Sequence, residues 1–243
     1  HDGPAPWDIG RPQPAIVRLA SEGGFAGAVL DAGCGTGENA LHVASLGLPV
    51  LGVDVAETAL AIARAKANDR GINVEFAAAD AFQLERLGRR FETVLDCGLF
   101  HTFDGDERTG YVASLASVTE YDGTLYVLCF SDNGPHTGPH PISQEELRAA
   151  FNPSNGWNIV AIEPSRTQTR FHDDGAPASL TGFLHALGVK HVFSSRPLER
   201  DWPNTTRVDT PATSYVADLK RGDGGDIGVH GSLAVTRALL AAG

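Results

Sequence analysis

The chain has no methionine and only three cysteines, Cys34, Cys97 and Cys129, in 243 residues. None forms a CxxC pair, so a zinc ribbon or a thioredoxin-type dithiol has no ligand set to stand on. All three sit in apolar, strand-like contexts, as buried small hydrophobes do, and this sparse usage fits a cytoplasmic compartment. The lack of any Met, an initiator included, implies that these residues are not a whole translation product. No run of about 18 apolar residues occurs, so no membrane-spanning helix is expected. No basic-then-apolar segment opens the chain as a secretory signal does. Positive charge is also short: 19 Lys and Arg stand against 30 Asp and Glu, a net charge of −11. A basic footprint is therefore missing, and neither nucleic acid nor a membrane is an expected partner. The nine histidines show no metal-ligand spacing, so no metal is expected.

Glycine and proline, by contrast, are plentiful, at 28 and 14. They punctuate a regular alternation. Residues 28–30, 49–55, 73–78, 91–95, 124–130 and 157–162 read as strands. Residues 39–46 and 56–70 carry apolar side chains at helical spacing, and Gly71 stands where a C′ glycine ends a helix. Ser143 and Glu146 form a capping box that opens a helix over 143–151. Strands alternating with helices predict an α/β fold, a doubly wound and mostly parallel sheet with helices on both faces. Ligands of such sheets bind outside the carboxyl ends of the strands. The informative residues are therefore 31–37, 54, 80, 96–101 and 131–140.

The first strand runs into Asp31-Ala-Gly33-Cys34-Gly35-Thr-Gly37. Glycines there let a ligand approach the backbone, and the next helix starts at the same point, aiming its N–H groups at the loop. A dinucleotide fingerprint would need a glycine where Glu38 stands. An acid beside a helix N-terminus suits a cationic or zwitterionic ligand better than a diphosphate.

This loop resembles motif I of the class I S-adenosylmethionine-dependent methyltransferases, D-x-G-x-G-x-G. The likeness continues in order through about 165 residues. Asp54, with Val55, closes the second strand, where that family binds the ribose hydroxyls. Asp80 and the Ala81 backbone close the third, where it contacts adenine. Asp96 and Cys97 close the fourth. The N-terminal PWDIGRPQP, the run DCGLFH and the later FSD are similar to the small-molecule branch that includes mycobacterial benzoquinone and heterocyclic-toxin methyltransferases. The resemblance implies a seven-stranded Rossmann-like methyltransferase fold over residues 1–188. It also implies S-adenosylmethionine as cofactor, and methyl transfer to the O or S of a small aromatic or thiol acceptor. Asp31, Gly33, Cys34, Gly35, Gly37, Asp54, Val55, Asp80, Ala81, Asp96, Cys97, Trp7 and Arg11 are the implied cofactor residues. Trp7 is read either as a lid, together with Phe25, or as a core anchor. Arg11 either pairs with the methionyl carboxylate or is solvated. His101 is read either as a general base or substrate-orienting donor, or as a cofactor-packing or structural histidine. Phe100, Phe103, Asp132, His136, His140 and Phe171 are the candidate acceptor residues, with Phe100 and Phe103 reading equally as core and Asp132, His136 and His140 as a solvated loop.

From about Lys190 the chain resembles a different family, the reductase domain of riboflavin biosynthesis. Val192, Phe193 and Ser194, the run 201–205, Leu219 and Lys220, and the run 224–232 carry that likeness. It covers only a fragment of that fold, so 189–243 is expected to be a partial, reductase-like extension. Residues 179–187 or, as the second choice, residues 189–194 of the reductase-like stretch are expected to pair along the fifth strand in place of the family's last hairpin. Two other readings stand beside the methyltransferase: a non-catalytic fusion protein that keeps the fold, and an NAD(P)-binding oxidoreductase.

Overall fold

The computed structural model describes residues 5–132, 141–170, 190–193, 205–208, 212–219 and 221. The chain divides into two compact units, Gly3–Asp174, and Gly175–Gly243 with His1–Asp2. The expected pairing segment 179–187 lies outside the described residues, as do His136, His140 and Phe171.

In the larger unit, α1 (Pro14–Ser21) precedes β1 (Val29–Ala32), α2 (Glu38–Ser45), β2 (Val50–Asp54), α3 (Glu57–Arg70) and β3 (Glu75–Ala78). Then come β4 (Phe91–Cys97), α4 (Gly105–Val118), β5 (Thr119–Leu128) and α5 (Gln144–Ala150). The strands form one parallel sheet in the order β3-β2-β1-β4-β5. The order reverses between β1 and β4, so the crevice for a ligand opens at their carboxyl ends. Five strands, not seven, make this sheet among the described residues, where β5 pairs only with β4.

Why these segments fold as they do is mostly local. The α3 stripe of Leu60, Ala63 and Ala67 is buried, and Gly71 ends the helix at φ 63°. Ser143 Oγ accepts from Glu146 N at 3.1 Å while Ser143 N donates to Glu146 Oε2 at 2.8 Å, so the capping box is complete. Val29 packs with Ile16, Phe25, Ala40, Val43, Val50 and Leu95. Leu30, its neighbour, faces the other side of the sheet by strand alternation and is fully buried too. Each of the larger aliphatic and aromatic side chains contributes about 1.5–3 kcal/mol by leaving water.

Two expectations need correction. Residues 157–162 form no strand. Their alternation in burial is strand-like, but no described strand offers them a ladder; Val160 is 98% exposed, and Trp157 packs edge-on against Phe151 instead. Phe25 is a core side chain, tilted on Tyr126 at 5.8 Å, not a cover for the loop after β1. The helices α1 and α4 were not anticipated, although Pro14 at the first turn and Tyr111, Leu115 and Val118 at helical spacing mark them.

In the smaller unit, β6 (Lys190–Phe193) pairs in parallel with β7 (Thr205–Val208), and α6 (Ala212–Leu219) follows. No helix among the described residues is long and apolar enough to cross a membrane.

One buried contact fastens α4 to the sheet. Tyr111 Oη donates to Asp96 Oδ2 at 2.8 Å, and both residues are fully buried. Tyr111→Phe strands that oxygen, so urea denaturation should show a loss of about 1–3 kcal/mol. A change below about 0.5 kcal/mol would mean that the hydroxyl does not hold Asp96.

Candidate active site

The loop between β1 and α2 bends through three left-handed glycines, Gly33, Gly35 and Gly37, at φ 75°, 53° and 84°. Two of them have no room for a side chain. A Cβ on Gly33 would lie 2.8 Å from Leu99 Cδ2, and one on Gly37 would lie 2.8 Å from Ala63 Cβ and from the Phe76 ring. Gly35 differs, because a Cβ there meets nothing within 4 Å. The loop is thus wedged at both ends and open in the middle.

Asp54 holds that middle. Its Oδ2 accepts from Gly35 N at 2.8 Å and its Oδ1 from Ala56 N at 2.9 Å. Each carboxylate oxygen accepts two hydrogen bonds, so both retain capacity for a ligand hydroxyl. Val55, next in sequence, is exposed. Asp80 caps the short 3-10 segment that starts at Ala81, accepting from Phe82 N at 2.9 Å and from Gln83 Nε2 at 3.1 Å.

Asp31 lies beneath the loop with 1% exposure, and its Oδ2 has no hydrogen-bond partner. Burial, then the charge of Asp96 and behind it that of Asp54, pushes its carboxyl up from 3.8 to about 7, although the Ala40 N–H pulls the other way. Asp96 differs in kind. Leu99 N and Phe100 N donate to its Oδ1 at 2.9 and 3.2 Å and Tyr111 takes Oδ2, so its carboxylate is spent on the turn after β4 and on α4. Burial still raises it to about 6.

The surroundings of the cysteines disfavour a thiolate. Burial first, with Asp31 and Asp96 next, pushes the Cys97 thiol up to about 12. Burial and Asp96 take Cys129 to about 12, and burial with Asp31 raises Cys34 as well. Glu38, expected to face the ligand, instead turns to α3. Arg70 Nη1 and Nη2 donate to it at 2.8 and 2.9 Å, and Lys66 pairs with it at 2.9 Å. Burial would raise its carboxyl, but these cations hold it below the usual range.

His101 is buried and stacks on the Phe130 ring at 4.2 Å. Its Nδ1 accepts from Phe130 N at 3.2 Å, so the neutral ring carries its proton on Nε2. That geometry suits a donor and not a general base. Phe100 and Phe103 do not form an acceptor wall. Both are fully buried, Phe103 against Phe82 and Tyr111, Phe100 against Phe151 and under Arg108. Aromatic spacing reads alike for core and pocket, and here the core takes both. Trp7 is 57% exposed and so is no core anchor. Arg11 Nη2 donates to Gln168 Oε1 at 3.2 Å. Asp132 is exposed, next to the bridge that joins Ser131 to Ile142.

Sequence reasoning missed Asp8, Thr36 and Lys66. Thr36 Oγ1 donates to Asp8 Oδ2 at 2.8 Å, and Lys66 Nζ donates to Thr36 Oγ1 at 2.8 Å. Thr36 lies inside the motif, but nothing in sequence separation brings Asp8 and Lys66 to it. Among the described residues no group of three or more His, Cys, Asp or Glu is placed to hold a metal ion.

An orphaned buried carboxylate, an open glycine backbone and a second carboxylate with spare acceptor capacity fit a cationic ligand bearing vicinal hydroxyls, as S-adenosylmethionine is. Known proteins point the same way. A family model described as a methyltransferase domain matches residues 29–123. The 2-heptyl-1-hydroxyquinolin-4(1H)-one methyltransferase of Mycobacteroides abscessus is 37% identical over 179 residues, 70% of this chain and 78% of that protein. The structure solved for "Conversion of a Disulfide Bond into a Thioacetal Group during Echinomycin Biosynthesis" matches with a TM-score of 0.62 at 41% identity, covering 68% of this chain and 76% of that one. Magnesium protoporphyrin IX methyltransferase from Synechocystis PCC 6803, solved with bound S-adenosylmethionine, matches with a TM-score of 0.51 at 25% identity, covering 64% and 72%. The chain belongs to the class I S-adenosylmethionine-dependent methyltransferases.

Proposed function

We propose that the protein methylates the O or S of a small, flat, largely apolar acceptor, with the cofactor held across the carboxyl ends of β1, β2 and β3. The observation that carries the cofactor half is the pair of carboxylates at the glycine loop: Asp54, which accepts from the open backbone at Gly35, and Asp31, buried with an unpartnered oxygen. Asp54 takes the ribose hydroxyls, Asp80 with the Ala81 backbone takes the adenine edge, and Asp31 supplies negative charge beneath the methionyl portion. When bound, the cofactor supplies an electrophilic methyl on a sulfonium whose positive charge decays during transfer. The chain's own work is to hold the acceptor atom in line and to keep water out.

The acceptor half rests on the relatives and on charge. The Mycobacteroides abscessus enzyme is named for a hydroxyquinolone, a flat heteroaromatic ring with a hydroxyl, and the echinomycin structure for a sulfur-bearing group. A net charge of −11 with no basic stripe makes a polyanionic acceptor a poor fit. The tail keeps its separate reading, a partial reductase-like extension that makes no complete nucleotide site.

Three outcomes follow. Asp54→Ala removes two charge-assisted hydrogen bonds, about 2–4 kcal/mol, so calorimetric affinity for S-adenosylmethionine should fall at least about tenfold. An unchanged titration would remove Asp54 from the site.

Asp31 should make stability and binding oppose each other. Its raised carboxyl binds a proton more tightly folded than unfolded. Stability therefore falls as pH rises from about 4 to about 7, and the loss persists above that range. Asp31→Asn should melt higher than the parent at about pH 8, with the gap closing toward about pH 4, while its cofactor affinity drops. Parent affinity should rise with pH through about 7 as the carboxylate ionises. A variant that melts no higher at the alkaline end would show that a partner satisfies Asp31.

On a panel of phenols, quinols, N-hydroxy heteroaromatics and thiols, at least one class should yield S-adenosylhomocysteine above the no-acceptor rate. Gel shifts with DNA and RNA at physiological salt should be blank. Retarded nucleic acid with a silent panel would overturn the acceptor class.

A further inference from the structure

We propose that Lys66 and Asp8 are positioning residues for the cofactor loop, and that both act on it through Thr36. The inference rests on the cofactor reading above. It starts from the loop's shortage of internal bonds. Gly33 N and Cys34 N donate to Val53 O, Gly35 N donates to Asp54, and Gly37 N donates to Cys34 O. None of these bonds uses Thr36, the residue between the open glycine and the wedged one.

Two other elements supply what the loop lacks. The ammonium of Lys66, from the C-terminal half of α3, has three donors and three partners: Thr36 O at 3.2 Å, Thr36 Oγ1 at 2.8 Å and Glu38 Oε1 at 2.9 Å. It therefore ties the carbonyl and hydroxyl of the loop to the first residue of α2. The hydroxyl has a single proton, and that proton goes to Asp8 Oδ2 at 2.8 Å. The relay thus runs one way, from Lys66 through Thr36 to Asp8. Cooperative strengthening is expected of such chains.

Asp8 is itself held from behind. Gly10 N donates to its Oδ1 at 3.0 Å, and Arg170 Nε donates to its carbonyl. The same N-terminal stretch is zipped to the segment before Arg170. Gln13 Nε2 donates to Gln168 O, and Gln168 N donates to Gln13 Oε1, each at 2.9 Å. Gln13 N donates to Asn39 Oδ1 of α2 at 3.0 Å. The loop is therefore clamped from α3 on one side and from a doubly anchored strap on the other. Among the described loop residues, Thr36 is the one hydrogen-bonded to both. The clamp holds the backbone at Gly35 ready for a ligand before the ligand arrives, which lowers the ordering cost of binding.

The test is a double-mutant cycle in the full chain, read by S-adenosylhomocysteine titration and by amide exchange of the ligand-free protein. Lys66→Met does not strand Glu38, because Arg70 remains bidentate on it. Lys66→Met, Asp8→Ala and Thr36→Val should each weaken S-adenosylhomocysteine binding about five- to tenfold and speed exchange at Gly35 and Gly37. Thr36→Ser, which keeps the hydroxyl, should restore both readouts. In the Thr36→Val background, Asp8→Ala should add little, because its route to the loop is already cut, whereas Lys66→Met should keep only the part of its effect that runs through the Thr36 carbonyl. Full additivity in that background overturns the proposal. So does unchanged exchange at the loop with a lowered melting temperature, the result a merely structural role gives. If the parent chain fails to bind S-adenosylhomocysteine, the cofactor reading falls, and amide exchange across the same cycle still decides whether Thr36 is the hub.

Discussion

The constraint on which the rest depends is the absence of space around the turn after β1. Gly33 abuts Leu99 from the turn after β4, and Gly37 abuts Ala63 of α3 and Phe76 of β3. A single ring, Phe76, also fills the space above Gly52 of β2, where a Cβ would lie 2.6 Å from it. Four elements thus converge on five residues of backbone. Their packing fixes the turn, and the turn fixes where α2 begins and which N–H groups it presents. The open face at Gly35 is the remainder left by this close packing, and its position is as well determined as the core itself.

Charge is distributed around that turn with the same economy. Four acids lie near it, and the chain treats each differently. Glu38 is neutralised by Arg70 and Lys66, which lock α2 to α3. Asp96 is consumed by two backbone N–H groups and a tyrosine. Asp54 is half used, with each oxygen accepting one N–H. Asp31 alone keeps a buried oxygen without a partner, close enough to Asp96 and Asp54 to feel their charge. A buried, unsatisfied carboxylate beside like charges opposes folding, and such defects persist where a ligand compensates them. On the proposed reading that ligand is a cation.

Local signals made most of the sheet legible. The glycine loop, the acids ending β1, β2, β3 and β4, the C′ glycine of α3 and the capping box of α5 are all set by neighbours in sequence, and the structure has each where the pattern puts it. What failed depended on partners distant in sequence. Residues 157–162 alternate like a strand, yet a strand needs a ladder, which no local pattern reports. Phe100 and Phe103 look the same whether they face a core or a pocket. Glu38 was read from its distance along the chain to the loop, whereas α3 brings Arg70, 32 residues away, onto it. The clamp on Thr36 escaped notice for the same reason, with 28 and 30 residues separating its members.

The burial of Phe100 and Phe103 also bears on the chemistry. With those rings committed to α4 and α5, the aromatic pair at the carboxyl ends of β4 and β5 is His101 stacked on Phe130. The Phe130 N–H that fixes this stack occupies His101 Nδ1, the nitrogen a neutral imidazole with its proton on Nε2 would need in order to take up a proton. Among the described residues the cysteine thiols are raised by burial and Asp96 is spent on the fold, which leaves Asp31, its carboxyl raised to about 7 and one oxygen without a partner, as the buried acid with room for a proton.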